Sequence, residues 1–134
     1  MNCKACSTVD EFLAEQILNH RQEILGRRAI ELSAALKTVE SWVSQHEPEL
    51  EWIRPDAGGM CCIRLKPSCF DDLAVDRFYR LTHGLRVQIA NGEWFGDDRR
   101  IIRLGFGYPE QDQLERGLSG LTTALEAAKT PMKY

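Results

Sequence analysis

Apolar residues recur along the chain with two different periods, and the changes between them mark out the elements. Between residues 8 and 45, Leu18, Leu25, Leu32 and Val39 repeat every seven positions, offset by Ala29, Leu36 and Val43. That spacing predicts one apolar stripe on a helix. Thr8 and Glu11 have the spacing of a capping box, Asp10 adds negative charge to the first turn, and Glu47-Pro48 stops the helix. Gly26 is a place where it could kink. Such a helix would run about 55 Å at 1.5 Å per residue. A domain of this size has a radius of gyration of about 14 Å. The helix over 8–45 is therefore expected to lie partly outside the domain it leads into.

After residue 49 the period drops to two. "LEWIR" (50–54) and "MCCIRLK" (60–66) read as strands, joined by "PDAGG", which is rich in turn formers. A second helix follows, with Ser68 and Asp71 as caps, a buried stripe of Phe70, Leu73, Ala74, Phe78 and Leu81, and His83-Gly84 at its end. "LRVQIAN" (85–91) and "RRIIRLGF" (99–106) read as two more strands. The last helix is expected to begin at Tyr108-Pro109 with proline in its first position, carry Leu114, Leu118, Leu121 and Leu125, and close at Pro131. The order is α-β-β-α-β-β-α. That is an α+β fold, a mainly antiparallel sheet with helices packed on it, forming a single domain over 1–134.

Composition works mainly by exclusion. The 134 residues, 43% hydrophobic and 28% charged, suit a folded chain with its own core. A net charge of -3 and the lack of basic runs with interleaved aromatics give no reason to expect nucleic acid. No apolar run approaches the roughly 18 residues a membrane span needs, and the N-terminus lacks the apolar stretch of a secretory signal. A cytoplasmic setting is expected. The five cysteines, Cys3, Cys6, Cys61, Cys62 and Cys69, then read as free thiols. Cys3-x-x-Cys6 has half a zinc-site spacing but no second pair of ligands, so no metal is expected. Cys61 and Cys62 fall in a strand, where one should face in and the other out.

Candidate chemistry gathers on the fourth strand. Ile102, Leu104 and Phe106 should share one face, which leaves Arg103 on the other with Ile101, Gly105 and Gly107. Two missing side chains beside a guanidinium leave room for a small anion. An edge-strand arginine paired with a nearby carboxylate explains the same residue. Catalytic groups are scarce. His20, His46 and His83 lie on helices or at their ends with no nucleophile pattern nearby, and no phosphate-binding glycine motif is present. None of Lys4, Lys37, Lys66, Lys129 and Lys133 sits in an apolar stretch that would depress its pKa. No catalytic residue is assigned.

The run "EWIRPDAGGMCCIRL", then "THGLRVQIANGEWFG", then "RRIIRLGFGYPEQDQLERGLSGLTTAL" resembles the C-terminal small domain of class I/II aminotransferases, fold-type I enzymes that depend on pyridoxal phosphate. The resemblance covers nearly the whole chain. It implies that Arg103 grips the α-carboxylate of an amino acid or 2-oxo acid, a task suited to a planar fork whose charge-assisted hydrogen bonds are worth roughly 1.5–3 kcal/mol each. Gly58 and Gly59 match a glycine pair before a strand, for which a backbone-turn role is expected, and Gly105 leaves space beside the arginine. Trp94 and Phe95 match a loop that carries an aromatic, and Asn91 stands where the family often has proline.

The resemblance further implies that the Schiff-base lysine, the phosphate cup and the groups around the cofactor ring belong to a large domain with no counterpart in these 134 residues. The leading helix would join the two domains. The expected function is the C-terminal part of a pyridoxal-phosphate-dependent aminotransferase, recognising carboxylate but not catalytically complete and holding no cofactor alone. Two rival readings are a free-standing binding module and a protein that dimerises through its first helix. A homo-oligomer, most simply a dimer held by residues 13–32, is expected because the stripe needs cover.

Overall fold

The computed structural model describes residues 7–129. Cys3, Cys6 and Pro131 lie outside the described residues. The chain falls into two compact units, 1–31 and 32–134.

The single helix expected over 8–45 is instead two, parted at His20: α1 (Thr8–Asn19), which lies in the first unit, and α2 (Arg21–Gln45), which begins there. Two side chains compete there for backbone carbonyls. The His20 imidazole Nδ1 lies 2.8 Å from the Gln16 oxygen, and the Arg21 guanidinium donates to the Leu18 oxygen at 3.0 Å. Such side-chain bonds loosen a helical ladder locally. The ladder resumes at once, since the Ile24 amide donates to the His20 oxygen at 3.2 Å. Gly26 lies within α2 and breaks nothing. The cap is Ser7, not Thr8: its hydroxyl accepts from the Asp10 amide at 3.2 Å. Every described residue of this unit is exposed.

The second unit holds a four-stranded antiparallel sheet with helices on one side. Its strands are β1 (Leu50–Trp52), β2 (Met60–Leu65), β3 (Ala90–Asn91) and β4 (Ile101–Gly105), in the spatial order β1-β2-β4-β3. The helices are the later turns of α2, α3 (Asp72–Gly84) and α4 (Gln111–Ala128). A 3-10 turn, Gly92–Phe95, lies between β3 and β4, a further departure from the expected order. The alternation decides which side is buried. Cys61, Ile63 and Leu65 of β2, together with Ile102, Leu104 and then Phe106, face a core shared with Val39, Val43, Phe78, Leu118 and Leu121 from the helices. Their neighbours Cys62, Arg64, Arg103 and Gly105 are exposed on the opposite face.

Several boundaries shift. The strand expected over 85–91 pairs with β4 only at Ala90 and Asn91, because the chain leaves α3 through Arg86 at φ 57°. Asp71 alone caps α3, accepting from the Ala74 amide at 2.8 Å. Leu73, expected in the buried stripe, is 67% exposed, and Val75 takes the inward place. The last helix begins after Pro109 rather than at it. Glu110 is its N-cap and forms a capping box with Gln113.

One polar chain is built into the helical layer. The Trp42 indole donates to the Thr122 hydroxyl at 2.9 Å, and that hydroxyl lies 3.2 Å from His46 Nε2. His46 Nδ1 is 2.8 Å from the Trp42 carbonyl oxygen, which can only accept, so Nδ1 carries a proton and Nε2 is the nitrogen that meets Thr122. The contacts tie the end of α2 to α4 without an orphaned donor.

Candidate functional site

Arg103 occupies the third position of β4, which is an inner strand, flanked by β2 and β3. The edge-strand reading is thereby corrected. Its cross-strand partners are Cys62 on β2 and Ala90 on β3, and Gly105 stands two residues further on the same face, opposite Met60. Three of these neighbours are small, so on the sheet they leave the guanidinium open to solvent.

The expected pairing with a carboxylate is also absent. Among the described residues no ion pair or hydrogen bond engages the Arg103 guanidinium, whereas Arg64 is bound by Asp98 at 3.1 Å, Arg100 by Asp72 at 2.5 Å and Arg99 by Asp76. Asp98 is committed to this neighbouring network. The Arg100 backbone N–H at 2.9 Å, followed by the Arg100 and Arg64 charges, holds its carboxyl below the usual range against the cost of desolvation. Arg103 instead lies over the Phe95 ring, its guanidinium carbon 5.1 Å from the centroid. A ring contact of this kind uses none of the guanidinium's N–H donors, which remain available for an anion.

Phe95 is placed by the 3-10 turn. Asn91 caps that turn by accepting from the Glu93 amide at 3.0 Å. Gly92 must be glycine there, since a Cβ would lie 2.0 Å from the Asp98 oxygen, and Gly96 closes the turn at φ 80°. Trp94, on the same turn, is 76% exposed.

The glycines have separate jobs. Gly58 adopts φ 88°, a turn conformation disfavoured for other residues. Gly59 packs backbone to backbone on Gly107, where a Cβ on either would come within 2.8 Å of the other's Cα. The Gly59 carbonyl accepts from both Phe106 and Gly107, each at 2.8 Å, so this contact pins the end of β4. Gly105 has open space where its side chain would be. The site residues thus divide: Arg103, Phe95 and Gly105 surround one exposed patch, and Gly58 and Gly59 shape the backbone that holds it. Sequence reasoning missed Cys62 and Ala90 as neighbours of Arg103 and Gly107 as the partner of Gly59. Only the strand register reveals them.

Cys62 is exposed and Cys61 buried, as the alternation requires, and both are free thiols like Cys69. Burial, with a smaller contribution from Cys62, pushes the Cys61 thiol up to about 12. A shallow pocket of about 280 Å³ opens on the bare face between Trp52, Ile53, Cys62, Arg64 and Ile101. Among the described residues no group of three or more His, Cys, Asp or Glu side chains converges on a point, and no helix is long and apolar enough to cross a membrane.

Lys66 donates to the Glu47 carbonyl at 2.6 Å, Lys129 is paired with Glu49, and Lys37 is exposed beside a groove between α2 and α4.

No protein-family profile matches the chain. A curated relative, Protein MalY of Escherichia coli, is 32% identical over 83 residues, which is 61% of this chain and 20% of that protein. Among solved structures, a PLP-dependent aminotransferase from Streptococcus suis superposes with a TM-score of 0.78 and 28% identity, over 93% of this chain and 32% of that one. The PLP-dependent cyclase OrfR does so with a TM-score of 0.77 and 29% identity, over 91% and 32%. The chain therefore spans about a fifth of the curated relative and a third of the solved structures, and it is similar to a portion of a PLP-dependent aminotransferase and of a PLP-dependent cyclase.

Proposed function

We propose that this chain acts as the C-terminal small domain of a pyridoxal-phosphate-dependent aminotransferase-like protein, where Arg103 receives the carboxylate of an amino acid or 2-oxo acid. The observation that carries this reading is the unpaired guanidinium on an inner strand, flanked by Cys62, Ala90 and Gly105 and backed by Phe95. A cation left without a carboxylate, beside three arginines that each have one, is free to bind an anion from outside. The bare face of the sheet would then look onto a larger, cofactor-binding domain, and the helical span 8–45 would join the two. Pyridoxal phosphate supplies an electron sink for amino-acid chemistry when bound. Among the described residues Lys66 and Lys129 are engaged by Glu47 and Glu49 and Lys37 is exposed on a helix, so in this reading the described residues serve the substrate's carboxylate end.

The test is a titration of the 134-residue chain with an amino acid and a 2-oxo acid, following the Arg103 side-chain N–H signals by nuclear magnetic resonance. The expected result is a saturable shift that Arg103→Gln abolishes and that an amine lacking the carboxylate does not produce. A shift that survives in Arg103→Gln would place the anion elsewhere. The free-standing binding module makes the same prediction for Arg103. It is separated by the neighbouring coding sequence, where the aminotransferase reading requires the lysine motif.

A further inference from the structure

A cavity of about 440 Å³ lies in the second unit between β4, the segment 85–88 and α4. It exists because the β3–β4 ladder ends early. The Leu65 amide donates to the Arg100 carbonyl and the Phe106 amide to the Gly59 carbonyl, so Ile102 and Leu104 between them turn their backbone groups toward β2. Arg103 and Gly105 therefore turn theirs toward β3. Arg103 meets Ala90 there. The same register would set Gln88 opposite Gly105, and that pairing is not made. The Arg86 and Val87 amides are held instead by the His83 and Thr82 carbonyls, at 3.1 and 2.9 Å, which keeps this stretch at the exit of α3. The Gly105 N–H and carbonyl are left facing the gap.

The walls bring three kinds of chemistry together. Leu104, Leu114, Leu118 and Leu121, all buried, form an apolar floor. Gly105 contributes only backbone, one donor and one acceptor. The lining also holds two arginines and no carboxylate. Arg116 is tied to Asp112 at 2.7 Å, whereas among the described residues no ion pair or hydrogen bond engages the Arg86 side chain. We propose that this cavity binds an N-acylated apolar amino acid, with its carboxylate at Arg86, its amide on the Gly105 backbone and its side chain on the leucines. A strand edge offers a donor and an acceptor together, and an amide answers both. A free amino acid would bring its ammonium group beside two guanidiniums, a like-charge contact that acylation removes. The last residue of a peptide presents the same groups as a free N-acyl amino acid. The site uses none of the Arg103 donors and does not rest on the aminotransferase reading.

Titration of the 134-residue chain with N-acetylleucine, followed through the leucine methyl signals by nuclear magnetic resonance, tests it. The background is Arg103→Gln, which removes the carboxylate site proposed on the opposite face. Saturable shifts at Leu104, Leu118 and Leu121 are expected. Arg86→Gly removes the guanidinium and suits the φ of 57° at that position, and it should weaken binding roughly 10-fold or more. Gly117→Leu should abolish binding with α4 intact, since a Cβ at Gly117 meets open space and leucine favours a helix. Isocaproate, which lacks the amide, and N-acetylglycine, which lacks the apolar side chain, should each bind more weakly. Tighter binding of N-acetylalanylleucine than of N-acetylleucine identifies a peptide end as the source of the ligand, and equal or weaker binding identifies the free acid. No saturable shift at these leucines, or a shift indifferent to Arg86→Gly and Gly117→Leu, overturns the inference. Isocaproate binding as tightly as N-acetylleucine overturns the part given to Gly105.

Discussion

The guanidinium of Arg103 lies over the ring of Phe95, 5.1 Å from its centroid, and these two residues come from different elements, β4 and the 3-10 turn before it. The ring holds the cation without using any of its donors. Phe95→Leu removes the stacking and leaves the charge. Carboxylate affinity is therefore expected to fall severalfold in Phe95→Leu, corresponding to about 0.5–1 kcal/mol. The loss in Arg103→Gln should be far larger. Side-by-side titration of the two variants checks the ranking.

Gly59 and Gly107 touch through their backbones, and Gly105 faces open space. Gly107→Ala is expected to destabilise the fold by about 1–3 kcal/mol, because the Gly59 backbone cannot yield as a flexible side-chain tip could. Gly105→Ala should stay within about 0.5 kcal/mol of wild type while obstructing access to Arg103. Urea unfolding curves give the first comparison and carboxylate titration the second.

Thr122 serves two partners at once, accepting from Trp42 and hydrogen-bonding His46 Nε2. Thr122→Val keeps the shape and removes both bonds, leaving the indole N–H and imidazole Nε2 without partners in a mostly buried place. A loss of about 1–3 kcal/mol is expected in the same unfolding experiment. Thr122→Ser should lose less, since the hydroxyl survives.

The Cys61 thiol, raised by burial from 9.0 to about 12, predicts a stability that depends on alkali. Between those values the folded chain keeps a proton that the unfolded chain has lost. Stability is then fully present below pH 9 and declines as pH rises toward 12. Burial raises the Tyr79 hydroxyl as well, opposed in part by the Arg99 charge, so its effect has the same sign. The urea midpoint is expected to fall between about pH 8 and about pH 10.5, and less steeply in Cys61→Val. At about pH 8, a maleimide should modify Cys62 well before Cys61, read by mass spectrometry of the labelled peptides.

The parts of the fold legible in the sequence were those set by local periodicity. Alternation along 101–106 assigned Ile102, Leu104 and Phe106 to the core and left Arg103 outside, and the leucine stripe of the last helix became buried at each of its four positions. What depended on pairing between distant segments was not legible. Arg103 read as an edge residue because nothing local says that β1 and β2 add to one side of β4 while β3 adds to the other. The stacking on Phe95 and the contact of Gly59 with Gly107 arise from the same long-range assembly. The helix boundaries failed for a different reason. Ser7 and Thr8 can both cap, as can Glu110 in place of a proline-led start, and the choice turns on hydrogen bonds about a few tenths of a kcal/mol apart. At His20, side chains rather than the backbone part the helix, against a stripe that continues through it.

The strand order has a consequence for how the chain behaves at high concentration. Both margins of the sheet are short, three residues in β1 and two in β3, and the longer strands β2 and β4 are paired on both sides. A growing fibril needs a long row of unsatisfied N–H and C=O groups to template the next strand, and neither margin offers one. The uncovered face, with Ile53 89% exposed and Met60 near it, attracts through side chains and not through the backbone. Concentrated solutions should therefore lose protein by reversible face-to-face clustering of folded molecules. Such clusters disperse on dilution and do not bind amyloid dyes.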